Sequence, residues 1–192
     1  MGRDGRGQSD VPARPGGGLA HGEPFPVAGN FVITDELGLG KGGQVQKYND
    51  NVAAIRLLKA IESEGRQATP AEQQALARYV GWGGIKQAFP RPGAEPVKGW
   101  AQRVAEIREL LTPEEHEAAA RSIQDAHYTS EDVVDGMWNI ARRLGFDGGK
   151  VLETSMGVGN FFGLMPADLR SGASLTGIEL DSITARIAKQ LY

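Results

Sequence analysis

The chain contains no cysteine. Disulfide frameworks, thiolate zinc sites and cysteine nucleophiles are therefore excluded. Histidine is scarce: His21, His116 and His127 are scattered and show no metal-ligand spacing. No apolar run approaches the ~20 residues that cross a bilayer. The opening MGRDGRGQSD lacks the apolar segment of a signal peptide. These absences point to a soluble, cytoplasmic protein with no membrane partner. A surplus of basic charge is also missing. The net charge of -3 argues against a uniformly basic surface, although a local basic patch could still meet nucleic acid.

What is present divides into three stretches. Residues 1–29 are glycine, proline and polar residues, a composition that cannot offset its ordering entropy, so disorder is expected. "FVITDELGLGKGGQVQKYNDN" follows. Its GLGKGG invites comparison with a phosphate loop, but Gly42 stands where a hydroxyl residue is required and no strong strand precedes it. A mobile glycine loop is the better reading. Helical patterning then takes over. Val52, Ile55, Leu58 and Ile61 recur at helical spacing, with Asn49–Asn51 as cap candidates and Gly65 as the stop. Thr69-Pro70-Ala71-Glu72 and Thr112-Pro113-Glu114-Glu115 are capping boxes with proline at the first helical position. The first launches a helix through Leu76 and Tyr79. Trp100, Val104, Ile107 and Leu111 mark another helix between the two boxes. Residues 30–126 thus form a helical region. Within it, "YVGWGGIKQAF" reads as a helix end with Trp82 in the core, in preference to Trp82 and Lys86 meeting nucleic acid.

After residue 126 the pattern changes. Ser130–Leu144 reads as a helix with Val133, Met137, Ile140 and Leu144 on one face. Arg142 and Arg143 could touch phosphate or simply satisfy the helix dipole. Lys150–Thr154 and Leu175–Leu180 read as strands, and Ser182–Leu191 as a helix. Helix, strand, glycine turn, connection, strand, helix is the opening of a doubly wound α/β sheet.

The glycine turn carries the chemistry. Its spacing is E-x-S-x-G-x-G, from Glu153 through Ser155 and Gly157 to Gly159, which is not the dinucleotide fingerprint and argues against a dehydrogenase. The second strand ends at Glu179, where a carboxylate can accept hydrogen bonds from ribose hydroxyls. Glu153 would repel a phosphate and suits an ammonium or water. An adenosine ligand with a positive tail and no phosphate fits both acids, and S-adenosylmethionine (SAM) has that form. A glycine pair after a strand is also common in plain tight turns, and terminal acids are often only solvated. Spacing alone leaves both readings open.

Three blocks, "HYTSEDVVDGMW", "VLETSMGVGNFFGLMP" and "LTGIELDSITARIAKQLY", resemble the start of an amino-group DNA methyltransferase of the N6-adenine type. "AIRLLKAIESEGRQATPAEQQALARYVGWGG" resembles the region upstream of it in very large methylase-helicase proteins of mobile elements. The resemblance implies a helical region followed by the first, incomplete part of a SAM-dependent, Rossmann-like doubly wound sheet in residues 127–192. It implies that Tyr128 and Thr129 hold the methionine carboxylate. Glu153, Ser155, Gly157 and Gly159 would line the methionine and ribose side, and Asn160 and Phe161 would shape the wall. Glu179 would bind the ribose and Leu180 would pack on adenine. His127, beside Tyr128, receives no catalytic role. Thr154 and Ser130 stand where the family usually has proline. The family's catalytic [D/N/S]-P-P-[Y/F] is missing, because no Pro-Pro dipeptide occurs anywhere. The expectation is a truncated SAM-binding part that is inactive alone. It would meet DNA through the complete protein, with a C-terminal methyltransferase and helicase part as partner. The alternative is a non-enzymatic DNA- or partner-binding module carrying a degenerate remnant.

Overall fold

The computed structural model describes residues 30–124, 126 and 128–192. The disorder expected for residues 1–29, and His127, lie outside these described residues. Eight helices and two strands follow in the order α1 (Gln44–Ser63), α2 (Pro70–Leu76), α3 (Ala101–Leu110), α4 (Pro113–Ser122), α5 (Glu131–Arg143), β1 (Gly149–Glu153), α6 (Asn160–Gly163), α7 (Ala167–Arg170), β2 (Ala173–Gly177) and α8 (Ser182–Leu191) among the described residues.

Both capping boxes form as spelled. The Thr69 and Thr112 hydroxyls accept from the N–H of Glu72 and Glu115, and each glutamate returns the bond to the cap's own N–H. Helix α2 stops at Leu76, short of Tyr79. Helix α1 starts at Gln44, before the Asn49–Asn51 cap candidates, which lie inside it. Asn51 has another task. Its buried side chain accepts from Val80 N–H at 2.9 Å and donates to the Gly81 carbonyl at 2.6 Å. It thereby gives the chain leaving α2 the partners a strand would otherwise supply.

Two apolar clusters hold the chain. The larger joins Ile55, Leu58 and Ile61 of α1 to Leu76, Trp82, Ile107 and, from α8, Ile183, Ile187 and Leu191. Each such side chain contributes about 1.5–3 kcal/mol by burial. Trp82 is 1 % exposed and stands edge-on to Phe89, the core position preferred over a nucleic-acid contact. Helix α8 is then pinned by polar contacts. Gln190 accepts from Ala68 N–H through its side chain and from the Gln73 amide through its carbonyl. Arg186 donates to both Glu62 and Glu115, and Lys59 also reaches Glu115 at 2.7 Å. The smaller cluster is Val134, Trp138, Met165 and Leu169, with Val151 and Leu175 of the strands packed on it.

The fold expected from the resemblance is corrected here. The described residues are mostly helical, and the sheet is a single parallel pair, β1 on β2, with Val151 opposite Leu175 and Glu153 opposite Gly177. It is not a Rossmann-like doubly wound sheet. A parallel sheet needs more strands and helices on both faces. Here α8 leaves β2 for the helical core. The expected face of α5 is also turned the wrong way. Val134 and Trp138 are buried, while Val133, Met137 and Ile140 are more than half exposed.

Candidate functional site

The ends of β1 and β2 are knitted together by backbone. Ile178 N–H donates to the Glu153 carbonyl at 2.8 Å, and Met156 N–H donates to the Ile178 carbonyl at 3.0 Å. Glu179 therefore arrives beside the turn. Its carboxylate accepts from Gly157 N–H at 2.9 Å and from Asp181 N–H at 2.8 Å. Asp181 caps α8 by accepting from the Thr184 N–H and hydroxyl. One carboxylate thus fixes the turn and the next one fixes the helix that follows.

Tyr128 joins the same group. Its ring lies between two glycines with left-handed backbones, Gly81 (φ 64) and Gly157 (φ 57). A Cβ at Gly81 would meet the ring at 2.8 Å, and one at Gly157 would meet it at 3.1 Å. Burial drives the Tyr128 phenol well above its ordinary range. The Thr184 hydroxyl pulls the other way, and Glu179 and Asp181 add to the rise. Tyr79, wholly enclosed nearby, is raised by burial first and by Tyr128 and Asp181 after it. Both phenols stay protonated at neutral pH, so neither is a base.

The other residues expected at the site separate into two groups. Glu153 is half-buried, Thr129 and Ser155 are exposed, and Leu180 is 99 % exposed beside Glu179. These remain open to a ligand. Gly159, Asn160 and Phe161 are taken up by the protein itself. A Cβ at Gly159 would fall 2.4 Å from the Tyr192 ring. Phe161 packs against the smaller cluster, and its carbonyl accepts from the Trp138 indole at 3.0 Å. Asn160 is 5 % exposed, and its side-chain amide oxygen has no partner among the described residues. Sequence reasoning missed Gly81, Tyr79, Asp181 and Thr184. No local pattern flags the first two. Asp181 and Thr184 could have been found as an N-cap pair spaced by three. Among the described residues no group of His, Asp and Glu is placed to hold a metal ion, and no helix is long and apolar enough to cross a membrane.

No family model matches the chain. No solved structure matches it. The chain is similar to "Defense against restriction protein B" of Escherichia phage P1, at 30 % identity over 153 residues. That match takes in 80 % of this chain and 5 % of the phage protein, so the chain spans a small fraction of the relative's length. The resemblance to N6-adenine DNA methyltransferases is corrected accordingly: no family model supports it, and the relative found is named for defence against restriction.

Proposed function

We propose that the residues around the turn after β1 bind an adenosyl ligand, and that the chain is a ligand-holding part of a larger protein directed at DNA. The Glu179 carboxylate carries this reading. Two backbone N–H groups hold it at the strand tip, and each of its oxygens keeps capacity for a further donor, which is what a pair of ribose hydroxyls offers. Leu180, almost fully exposed next to it, supplies an apolar surface for a base. Glu153 favours a ligand with a cationic tail over one with phosphates. SAM combines an adenosine with a sulfonium and an ammonium, so it is the ligand proposed. The phage relative's name supports a DNA-directed setting, since restriction acts on DNA. The chain has no Pro-Pro motif to hold a target amine, so it is proposed to bind without transferring a methyl group on its own.

Calorimetric titration of the folded chain with SAM tests this. Binding is expected, with a loss of tenfold or more in Glu179→Ala and a smaller loss in Leu180→Ala. The second variant matters because Leu180 touches solvent alone and its loss cannot unfold the turn. No heat from a folded wild-type sample overturns the reading. A second reading then takes over, a non-enzymatic DNA- or partner-binding module. One observation already favours it: both turn glycines are explained by the Tyr128 and Tyr192 rings without a ligand.

A further inference from the structure

The glycine loop before α1 lines an open cavity distinct from the Glu179 turn. The loop reaches left-handed backbone at Gly38, Gly40 and Gly42 (φ 62, 67 and 101). The cavity measures about 350 Å³, and Lys41, Lys47, Arg78, Glu36, Asp50 and Val80 are among its lining residues. That volume lies within the roughly 300–1,000 Å³ of small-ligand sites. The three cations form no ion pair among the described residues, whereas Arg56, Lys59, Arg66, Arg121, Arg142 and Arg186 all do. Of the two carboxylates, Asp50 is engaged by the Gln46 amide at 2.8 Å.

The backbone adds to this. Among the described residues no carbonyl accepts from the N–H of Gly40, Gly42 or Gly43. Gly43 caps the 20-residue α1 with no side-chain acceptor, and no acid stands in the first turn. Within the lining, the free N–H groups of Gly40 and Gly42 and three cations without an ion pair outweigh Glu36 and Asp50 and favour negative charge. Lys41 and Arg78 are exposed and Lys47 is half-buried, so the three cations stand around an open cleft that a ligand can enter from solvent. The arrangement is not a nucleotide-triphosphate loop, because Gly42 follows Lys41 where a magnesium-binding hydroxyl would stand.

We infer that this cavity binds a nucleotide through its phosphate. Lys41, Lys47 and Arg78 neutralise the phosphate, and Glu36 accepts from a sugar hydroxyl or a base amine. Inorganic phosphate alone would leave most of the volume empty. The place in the fold is informative. Val80 lines the cavity, the next residue, Gly81, touches one edge of the Tyr128 ring, and the other edge touches Gly157. A nucleotide held here lies one aromatic ring from the turn after β1. The phosphate could belong to a free mononucleotide or to a DNA strand, and the chemistry of capture is the same.

Fluorescence anisotropy of a labelled single-stranded oligodeoxynucleotide with the whole chain tests the inference, beside calorimetry with adenosine monophosphate. The comparison is with the triple variant Lys41→Ala, Lys47→Ala, Arg78→Ala, whose fold is checked by far-ultraviolet circular dichroism. These side chains make no ion pair, so the variant is expected to fold. Three phosphate-neutralising contacts predict a slope of about -2 for log K against log salt on a single strand. The triple variant should bind at least tenfold more weakly at low salt, with that slope nearly abolished. Binding of the mononucleotide as well as the strand assigns a free-nucleotide site, and binding of the strand alone assigns a DNA contact. Absence of binding to both overturns the inference, as does binding that keeps its affinity and slope in the triple variant. No SAM is present, so failure here leaves the Glu179 reading standing, and failure of SAM to bind leaves this one standing.

Discussion

The ring of Tyr128 rests on the backbone of Gly157, at a distance where a single added methyl would stand 3.1 Å from its Cε1. The opposite edge of the ring meets Gly81 even more closely. One tyrosine therefore joins the strap after α2 to the turn after β1, two places 76 residues apart in sequence. The glycines at both contacts also need their left-handed backbone. Gly81→Ala adds a clash to that strain and should cost about 1–3 kcal/mol in urea unfolding. Part of that cost should return when Tyr128→Ala is combined with it, in a double-mutant cycle. Strict additivity would mean that the two residues do not bear on one another.

Adjacent glycines should behave differently. A Cβ at Gly83 would fall 2.0 Å from the Ala126 carbonyl oxygen, while one at Gly84 meets nothing within 4 Å. Gly83→Ala is expected to lose about 1–3 kcal/mol, because backbone cannot step aside cheaply. Gly84→Ala should be neutral or slightly stabilising, by up to about 1 kcal/mol, through a less flexible unfolded chain. Thermal melts of the two variants side by side check this ordering.

Asn51→Ala removes partners from two backbone groups at once, Val80 N–H and the Gly81 carbonyl. The expected cost is about 1–3 kcal/mol for each group left unpaired. Asn51→Asp keeps an acceptor for Val80 but turns a carboxylate oxygen toward the Gly81 carbonyl. It should therefore fail to rescue stability. Wild-type stability in Asn51→Asp, read from the urea midpoint, would contradict this role for the amide.

Acid should weaken the helical core through two glutamates. The Arg66 guanidinium, helped by Thr69 N–H, holds the Glu72 carboxyl down at about 2 from its ordinary 4.5. Burial pushes the Glu115 carboxyl up, but Lys59, Thr112 N–H and Arg186 together outweigh it and leave it lowered. A carboxyl lowered in the folded state contributes stability that is fully present above its unfolded value. That contribution drains away as pH falls below 4.5 and is gone once the folded carboxyl is protonated. Unfolding free energy should therefore drop from about pH 5 downward. In Glu115→Gln the starting stability should be lower and the decline shallower. An unchanged pH profile in that variant would remove Glu115 from the account.

The outward face of α5 offers a different test. Val133, Met137, Ile140 and Leu144 are all at least half exposed. Ile140→Lys should change stability by less than about 0.5 kcal/mol, as surface substitutions do. It should also lower the fluorescence of an apolar dye that binds exposed hydrophobic surface. A large loss of stability instead would mean that this face is packed in solution.

Some of this protein was legible residue by residue. The two capping boxes close within three positions, so Thr69 with Glu72 and Thr112 with Glu115 announce α2 and α4 whatever surrounds them. The absence of cysteine, the strand and glycine turn up to Gly157 and the position of Glu179 at a strand tip are equally local. The tertiary structure decided the rest, because the rest rests on contacts between distant positions. Periodicity reported that α5 has an apolar stripe, but Val134 and Trp138 were buried in place of Val133 and Met137 by what lay across from them, namely Met165, Leu169 and the strands. Spacing reported a sheet beginning, but α8 was drawn into the helical core by Gln190 and Arg186, whose partners lie 117 to 124 residues away at Gln73, Ala68 and Glu62. The glycines of the turn read as room for a ligand, and the fold filled the space beside them with Tyr128 and Tyr192. A sequence states which groups can pair within a few residues; which distant groups meet is settled by burying the most apolar surface with the fewest polar groups left unpaired.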